Sequence, residues 1–308
     1  MGRIIVSGAS GDLGQRVTEH LLTLEPSRRI TLVTRSPWKL AGKAGQNVDV
    51  FRGDYTDPPS LDAAYAGGGV LLLISGLNLG RRVSEHRNAI HAAKKAGISQ
   101  IVYTSVVGVN PNNPALSAKD HFQTEQDLHA SGIPFVALRD ALYSEIITNF
   151  VIRSALPFGR FNMAAGAGRI APVSKLDVVR CVAECLVNAE RHAGAVYEIS
   201  GPELLSMAEI AQIAAEHHGK PMVYDVVTPD ERLAFLDSLG YPRTYASDMP
   251  MNADGHMWAS DELVSADMAI AQGYQAILSD HVEMITGRKP ETLLEVFRRC
   301  GDVRYDQL

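Results

Sequence analysis

Three glycines near the start of the chain have the spacing that most directly suggests chemistry. Gly8, Gly11 and Gly14 stand three apart in Ser7-Gly8-Ala9-Ser10-Gly11-Asp12-Leu13-Gly14. They follow the β-branched run Ile4-Ile5-Val6 and open an amphipathic segment over 13–24. In a strand–turn–helix of this kind, the first glycine permits a tight turn. The second lets a pyrophosphate approach the backbone, and the third lets the helix pack against the strand. The phosphates then meet the amides at the positive end of the helix dipole. Ser10, Asp12 and Leu13 belong to the same cradle. A glycine triplet alone is weak evidence. Its place between a strand and a helix makes it a dinucleotide site.

The end of the second apolar run, 30–34, bears on which dinucleotide. An NAD site carries Asp or Glu about 20 residues past the glycines, where it holds the ribose 2′-hydroxyl. Here the chain reads Thr34-Arg35-Ser36-Pro37-Trp38-Lys39, with no acid. The Arg35 guanidinium can fork onto a 2′-phosphate, and Lys39 can add a point charge. The expected cofactor is therefore NADPH. Asp54 and Tyr55 follow the third run and should lie near the adenine. Ser75 and Gly76 follow the fourth, Ser105 follows the fifth, and these should line the cofactor crevice at the strand C-termini.

The elements that must position these residues alternate. Short apolar runs fall at 30–34, 48–51, 70–74, 100–104 and 134–138, with helix-like stretches at 59–66, 80–96 and 117–131 between them. Apolar runs without alternation are strands buried on both faces, and their alternation with helices predicts a parallel sheet. The expected fold is α/β, a Rossmann-type doubly wound parallel sheet over 1–150. A smaller α/β substrate-binding domain is expected over 151–308, with some segments returning to the sheet. In that half, Ser174 and Ser206 read as helix N-caps with Asp177 and Glu209 three residues on, and Gly219 as a helix stop. The stretch 241–256, rich in Pro, Asp, Asn, Gly and Met, reads as a loop, and its region 245–258 as a candidate lid.

Many short-chain dehydrogenases place Tyr-x-x-x-Lys on one helix face, with Tyr as proton donor. No Tyr here has Lys four positions later, and the helix expected to carry the pair reads Ser117-Ala118-Lys119-Asp120-His121-Phe122-Gln123-Thr124-Glu125. The glycine phrase, Arg52-Gly53-Asp54-Tyr55, His121-Phe122-Gln123-Thr124-Glu125, Ser131-Gly132-Ile133-Pro134 and Leu138-Arg139-Asp140-Ala141-Leu142-Tyr143 together resemble the NmrA-like group of atypical short-chain dehydrogenases. Within it the chain is most similar to the triphenylmethane reductase and NADPH:quinone oxidoreductase branch, over roughly residues 1–230. The resemblance implies an NADP(H)-binding domain and hydride transfer to quinones, dyes, benzylic ethers or enones. Some members of such a group are redox sensors without turnover, and fold alone does not prove catalysis.

Three side chains are candidates for proton delivery. His121 can donate near neutral pH. The resemblance to ether reductases makes Lys119 an alternative, with an aryl ether or enone as substrate. The two lie about 200° apart around the helix and cannot share a face. Tyr143 can line the nicotinamide pocket. Transfer to a quinone or delocalised cation can also proceed without a strong protein acid. Phe150, Phe158, Phe161, Met163, Tyr245, Met251 and Trp258 could receive a flat apolar substrate.

Composition sets the remaining limits. The 308 residues are 46% hydrophobic and 21% charged, enough apolar material for a sizeable core. A net charge of −6 argues against non-specific nucleic-acid binding. No stretch reaches the length of a membrane span. Cys181, Cys185 and Cys300 have no zinc or disulfide spacing, and His217-His218 has no carboxylates with it, so no metal is expected. A cytoplasmic monomer or homodimer acting on a small aromatic molecule fits these numbers.

Overall fold

Short β-branched runs can bury both faces only if both faces are covered, and the chain folds accordingly. The computed structural model describes residues 2–244 and 258–300. The first half runs β1 (Ile4–Ser7), α1 (Asp12–Leu24), β2 (Ile30–Thr34), a 3-10 turn (Pro37–Lys43), β3 (Val48–Arg52), α2 (Pro58–Tyr65), β4 (Gly69–Leu73), α3 (Arg82–Lys95), β5 (Ile98–Val106), α4 (Leu116–Ser131) and β6 (Phe135–Asp140). Next come α5 (Ser144–Ile146), a π-helical turn (Ile147–Ile152), α6 (Arg153–Ala155), β7 (Arg160–Met163), β8 (Arg169–Ile170), α7 (Lys175–Val187), α8 (Ala189–His192) and β9 (Val196–Ile199). The chain continues with β10 (Leu205–Ser206), α9 (Met207–His218), β11 (Val223–Val226), α10 (Pro229–Ser238), α11 (Ser260–Ala271), α12 (His281–Thr286) and α13 (Leu293–Cys300).

Seven strands form one parallel sheet in the order β3-β2-β1-β4-β5-β6-β9. This is the Rossmann order, with its switch point between β1 and β4. Successive residues alternate between two cores. Ile4, Val6, Leu72, Val102 and Val136 face α1 and α7; Ile5, Leu71, Leu73, Ile101 and Tyr103 face α2, α3 and α4. A third core joins Ile147, Phe161, Met163, Ile210, Ile270 and Phe297, from the π-helical turn, β7, α9, α11 and α13. The second half therefore divides: β9 completes the main sheet with α7, α8 and α12 packed on its first core, and the π-helical turn, β7, β8, α9, α11 and α13 build the third core.

The local signals explain the helix ends. Ser206 and Glu209 form a reciprocal capping box, and Gly219 closes α9 in the left-handed region with φ 62°. Ser174 accepts from the Leu176 amide, but Asp177 does not reciprocate; its Oδ2 takes the Glu291 amide at 2.7 Å.

Gly14 sets how closely α1 lies on β1. A Cβ there would sit 2.5 Å from the Gly8 carbonyl oxygen and 2.8 Å from Ala9 Cα, while one at Gly11 would meet nothing closer than 3.4 Å. Backbone cannot give way as a side-chain tip can. Gly14→Ala is expected to cost about 1–3 kcal/mol of stability, in the range of overpacking, and Gly11→Ala clearly less. Urea unfolding of both variants checks this; equal midpoints would contradict the contact argument.

Candidate functional site

The switch point opens a cavity of about 510 Å³ along the C-terminal edge of the sheet. Its floor is the glycine turn. Gly8 has φ 80°, where an L side chain is strained, and a Cβ there would press on Ile74 Cβ at 3.3 Å. Gly11 is the N-cap of α1 and offers no side-chain acceptor to the first-turn amides. Ser10 Oγ and Thr34 Oγ1 pair at 2.6 Å, tying the turn to the end of β2.

The cavity brings together most of the residues singled out from the sequence. Gly8, Ser10, Gly11, Asp12, Leu13 and Gly14 line it, with Arg35 and Lys39 beyond β2. Asp54, Tyr55, Ser75, Gly76 and Tyr143 complete the set. Arg35 and Lys39 are exposed, and among the described residues neither side chain has a hydrogen-bond or ion-pair partner.

Three expectations fall elsewhere. Ser105 does not line the cavity. Strand β5 runs two residues further than its apolar run suggests, so Thr104 faces the cavity and Ser105 the opposite side. Ser105 Oγ donates there to Glu125 Oε1 at 2.7 Å. Lys119 is exposed and does not line the cavity. His121 is buried behind the wall, its Nδ1 2.7 Å from Tyr103 Oη. Burial pushes the Tyr103 hydroxyl up and His121 well down, so a neutral phenol donates to a neutral imidazole. Of the residues proposed to receive substrate, Phe161 and Met163 belong to the third core and Phe150 packs edge-on against Trp258. Phe158 is exposed. Tyr245, Met251 and most of the expected lid lie outside the described residues.

A buried polar scaffold holds the wall. Thr104 Oγ1 accepts from the Ser75 amide at 2.9 Å, Arg82 Nε donates to the Gly76 carbonyl at 2.6 Å, and the Gly76 amide donates to His86 Nε2 at 3.0 Å. That last bond fixes the tautomer. With Nε2 accepting, Nδ1 carries the proton and donates to Thr124 Oγ1 at 3.0 Å; Thr124 in turn donates to the Asp120 carbonyl at 2.9 Å. Desolvation, reinforced by Arg82, pushes His86 from its ordinary 6.5 down to about 3.

Lys175 was read from sequence only as the residue after a helix cap, and it is the principal site residue that reading missed. It lines the cavity yet is almost fully buried, and its Nζ donates to Asp12 Oδ2 at 2.6 Å. Asp12 Oδ1 accepts from Arg16 Nε at 2.6 Å. The carboxylate at the glycine turn is thus neutralised from both sides. The Lys175 ammonium also sits 5.7 Å from the centroid of the Tyr143 ring. Its position depends on α7 docking against α1, which no local spacing reveals.

These elements fit a dinucleotide. The turn would lose its room to any Cβ at Gly14, the α1 amides lack a side-chain cap, and two cations stand unpartnered at the β2 end. Residues 8–188 match the model of a family described as NAD(P)H-binding. The chain belongs to this family. It is 36% identical to quinone oxidoreductase 2 of Escherichia coli over 83% of this chain and 88% of that one. The structure of that protein with NADPH superimposes with a TM-score of 0.86 at 32% identity, covering 96% of this chain and 99% of the other. Triphenylmethane reductase of Citrobacter sp. with NADP(H) gives a TM-score of 0.83 at 30% identity, covering 96% and 99%. An NAD(P)H azoreductase of Xenophilus azovorans is 24% identical over 95% of this chain and 96% of its own. The protein is thus an oxidoreductase of the NAD(P)H-binding family, and it is also 25% identical, over 77% of this chain and 77% of the other, to an NmrA-like family domain-containing oxidoreductase of Aspergillus flavus. Among the described residues no helix is long and apolar enough to cross a membrane, and no cluster of His, Cys, Asp or Glu could hold a metal.

The scaffold makes a pH prediction. His86 is neutral in the folded protein down to about pH 3, whereas the unfolded residue takes a proton near 6.5. The unfolded state therefore binds more protons in that window, and stability falls as pH is lowered through it, by at most about 1.4 kcal/mol per pH unit for one group. His86→Gln should flatten this acid slope, with the remainder shared among His121, His20, His192 and the carboxylates held low by helix caps and ion pairs. Urea unfolding at stepped pH checks it; an unchanged slope would contradict the neutral imidazole.

Proposed function

We propose that the protein is an NADPH-dependent reductase that delivers hydride to a small aromatic or conjugated acceptor, with quinones and cationic dyes the first candidates. One observation carries the reading: a single cavity runs from two unpartnered cations beyond β2, past the glycine turn, to Tyr143. The kinship with a quinone oxidoreductase and a triphenylmethane reductase supports the acceptor class.

Gly8, Ser10, Gly11, Leu13 and Gly14 hold the pyrophosphate against the α1 amides. Lys175 offsets the Asp12 charge beside it. Arg35 and Lys39 bind the 2′-phosphate, Asp54 and Tyr55 border the adenosine, and Ser75 and Gly76 border the nicotinamide half. When bound, the cofactor supplies the hydride. A triphenylmethane cation is neutralised by the hydride itself and needs no proton, whereas a quinone or azo acceptor then carries one hydride and needs one proton on its oxygen or nitrogen. Tyr143, at the far end of the cavity, is placed to give it. His121 supports Tyr103 from behind the wall, and Lys119 faces solvent, so neither is assigned proton delivery.

Arg35→Ala should raise the NADPH dissociation constant about tenfold or more, the loss of a charge-assisted fork, and change NADH binding by less than about twofold. Titration of each variant with both cofactors reads this. NADPH oxidation should proceed with at least one of the quinones, triphenylmethane dyes, azo dyes or enones. Lys119→Ala should keep the rate within about twofold, as for a residue remote from the reacting atoms. Tight cofactor binding with no oxidation against any acceptor would favour a redox sensor. Loss of turnover in Lys119→Ala would favour the ether or enone reading.

A further inference from the structure

Asp140 ends β6, three residues before Tyr143, and is buried. Its Oδ2 lies 2.8 Å from Tyr143 Oη. Its Oδ1 is also buried and has no hydrogen-bond partner. Each group packed against it offers little to an ionised carboxylate. On the sheet it is flanked by Val106 of β5 and Ile199 of β9. From α7 it faces Cys181, a buried thiol whose ionisation it opposes, with Asp177 and Arg180 near that thiol. The Lys175 ammonium donates to Asp12 and lies over the Tyr143 ring. A carboxylate with one oxygen unpaired in such a setting is costly, and a neutral carboxyl is the stable form.

A phenol has one proton. Next to an ionised carboxylate, that proton must point at Oδ2. Next to a neutral carboxyl, Oδ2–H can donate to the phenol oxygen, and the phenol proton can turn toward the cavity that Tyr143 lines. We propose that Asp140 is a positioning residue that sets the direction of the Tyr143 proton: neutral, it turns the phenol toward the acceptor, and ionised, it turns it away. The proposal rests on the reductase reading above. Burial pushes Asp140 up from 3.8 to about 8, with the Tyr143 hydrogen bond opposing, which places the change at mildly alkaline pH.

Two measurements test this together. The first is kcat/KM against pH with any acceptor that is turned over. In the wild type it should fall about tenfold per unit above pH 8, the signature of a group needed in its protonated form. Asp140→Asn supplies a permanently neutral donor. It should keep at least about a third of the low-pH rate and lose the alkaline fall, whereas Tyr143→Phe should be slower by about 10- to 100-fold with no fall near pH 8. The second is a carbon NMR titration of labelled Asp carboxyl and Tyr Cζ carbons in the cofactor-free protein. The Asp140 and Tyr143 signals should move together near pH 8. Titration of Asp140 near 4, a Tyr143 signal that does not follow it, or an alkaline fall that persists in Asp140→Asn would overturn the proposal. If no acceptor is reduced, the reductase reading fails by itself, and the NMR titration still decides the Asp140–Tyr143 coupling.

Discussion

The close approach of α1 to β1 at Gly14 is the constraint on which the rest depends. Its space is defined by backbone on both sides, the Gly8 carbonyl and Ala9. That contact aims the first-turn amides of α1 at the switch point, where β1 and β4 part toward opposite ends of the sheet. It also brings the start of α7 over the glycine turn, so that Lys175 reaches Asp12. In the proposed phosphate site an unpaired acidic residue would repel the ligand. Here its charge is shared between Arg16 and Lys175, and the cradle keeps a positive field from the helix.

The opposite wall combines neutral buried imidazoles, phenols and hydroxyls with the buried Arg82 guanidinium. The rings of Tyr55, His86, Tyr103 and His121 follow one another inward from the cavity, with centroids 6.1, 5.5 and 5.7 Å apart. Each polar atom in the His86 set has a partner whose donor role is fixed by the next, so the chain of bonds has one consistent proton assignment. This rigidity holds Ser75 and Gly76 in place. It also explains why a histidine chosen for its titration near neutral pH is a poor proton donor here: burial keeps it uncharged.

The sheet was legible from sequence because both-face burial leaves an unmistakable pattern of short apolar runs, and each of these runs became a strand of the parallel sheet. That the glycine turn and the cations beyond β2 meet at one cavity was legible because they sit at fixed offsets from strand ends. Lys175 was not, since it reaches the cavity only through the docking of α7 on α1. Ser105 was misplaced by a strand longer than its apolar core, which shifts nothing in the sheet but reverses one side chain. His121 and Lys119 were nominated by helix position, and helix position cannot say how far a helix stands from a cavity. The importance of Asp140 came from what surrounds it, an unpaired oxygen in an apolar pocket, which composition does not report.

The central claim is that this cavity is a site for a 2′-phosphorylated dinucleotide. The most direct measurement is an equilibrium titration of the protein with NADPH, followed by displacement with adenosine 2′,5′-bisphosphate and with 5′-AMP. The account predicts one equivalent of NADPH bound, displaced by the 2′-phosphorylated fragment at a concentration at least about tenfold below that needed for 5′-AMP, as one charge-assisted phosphate contact requires. No binding, or equal displacement by the two fragments, would contradict it.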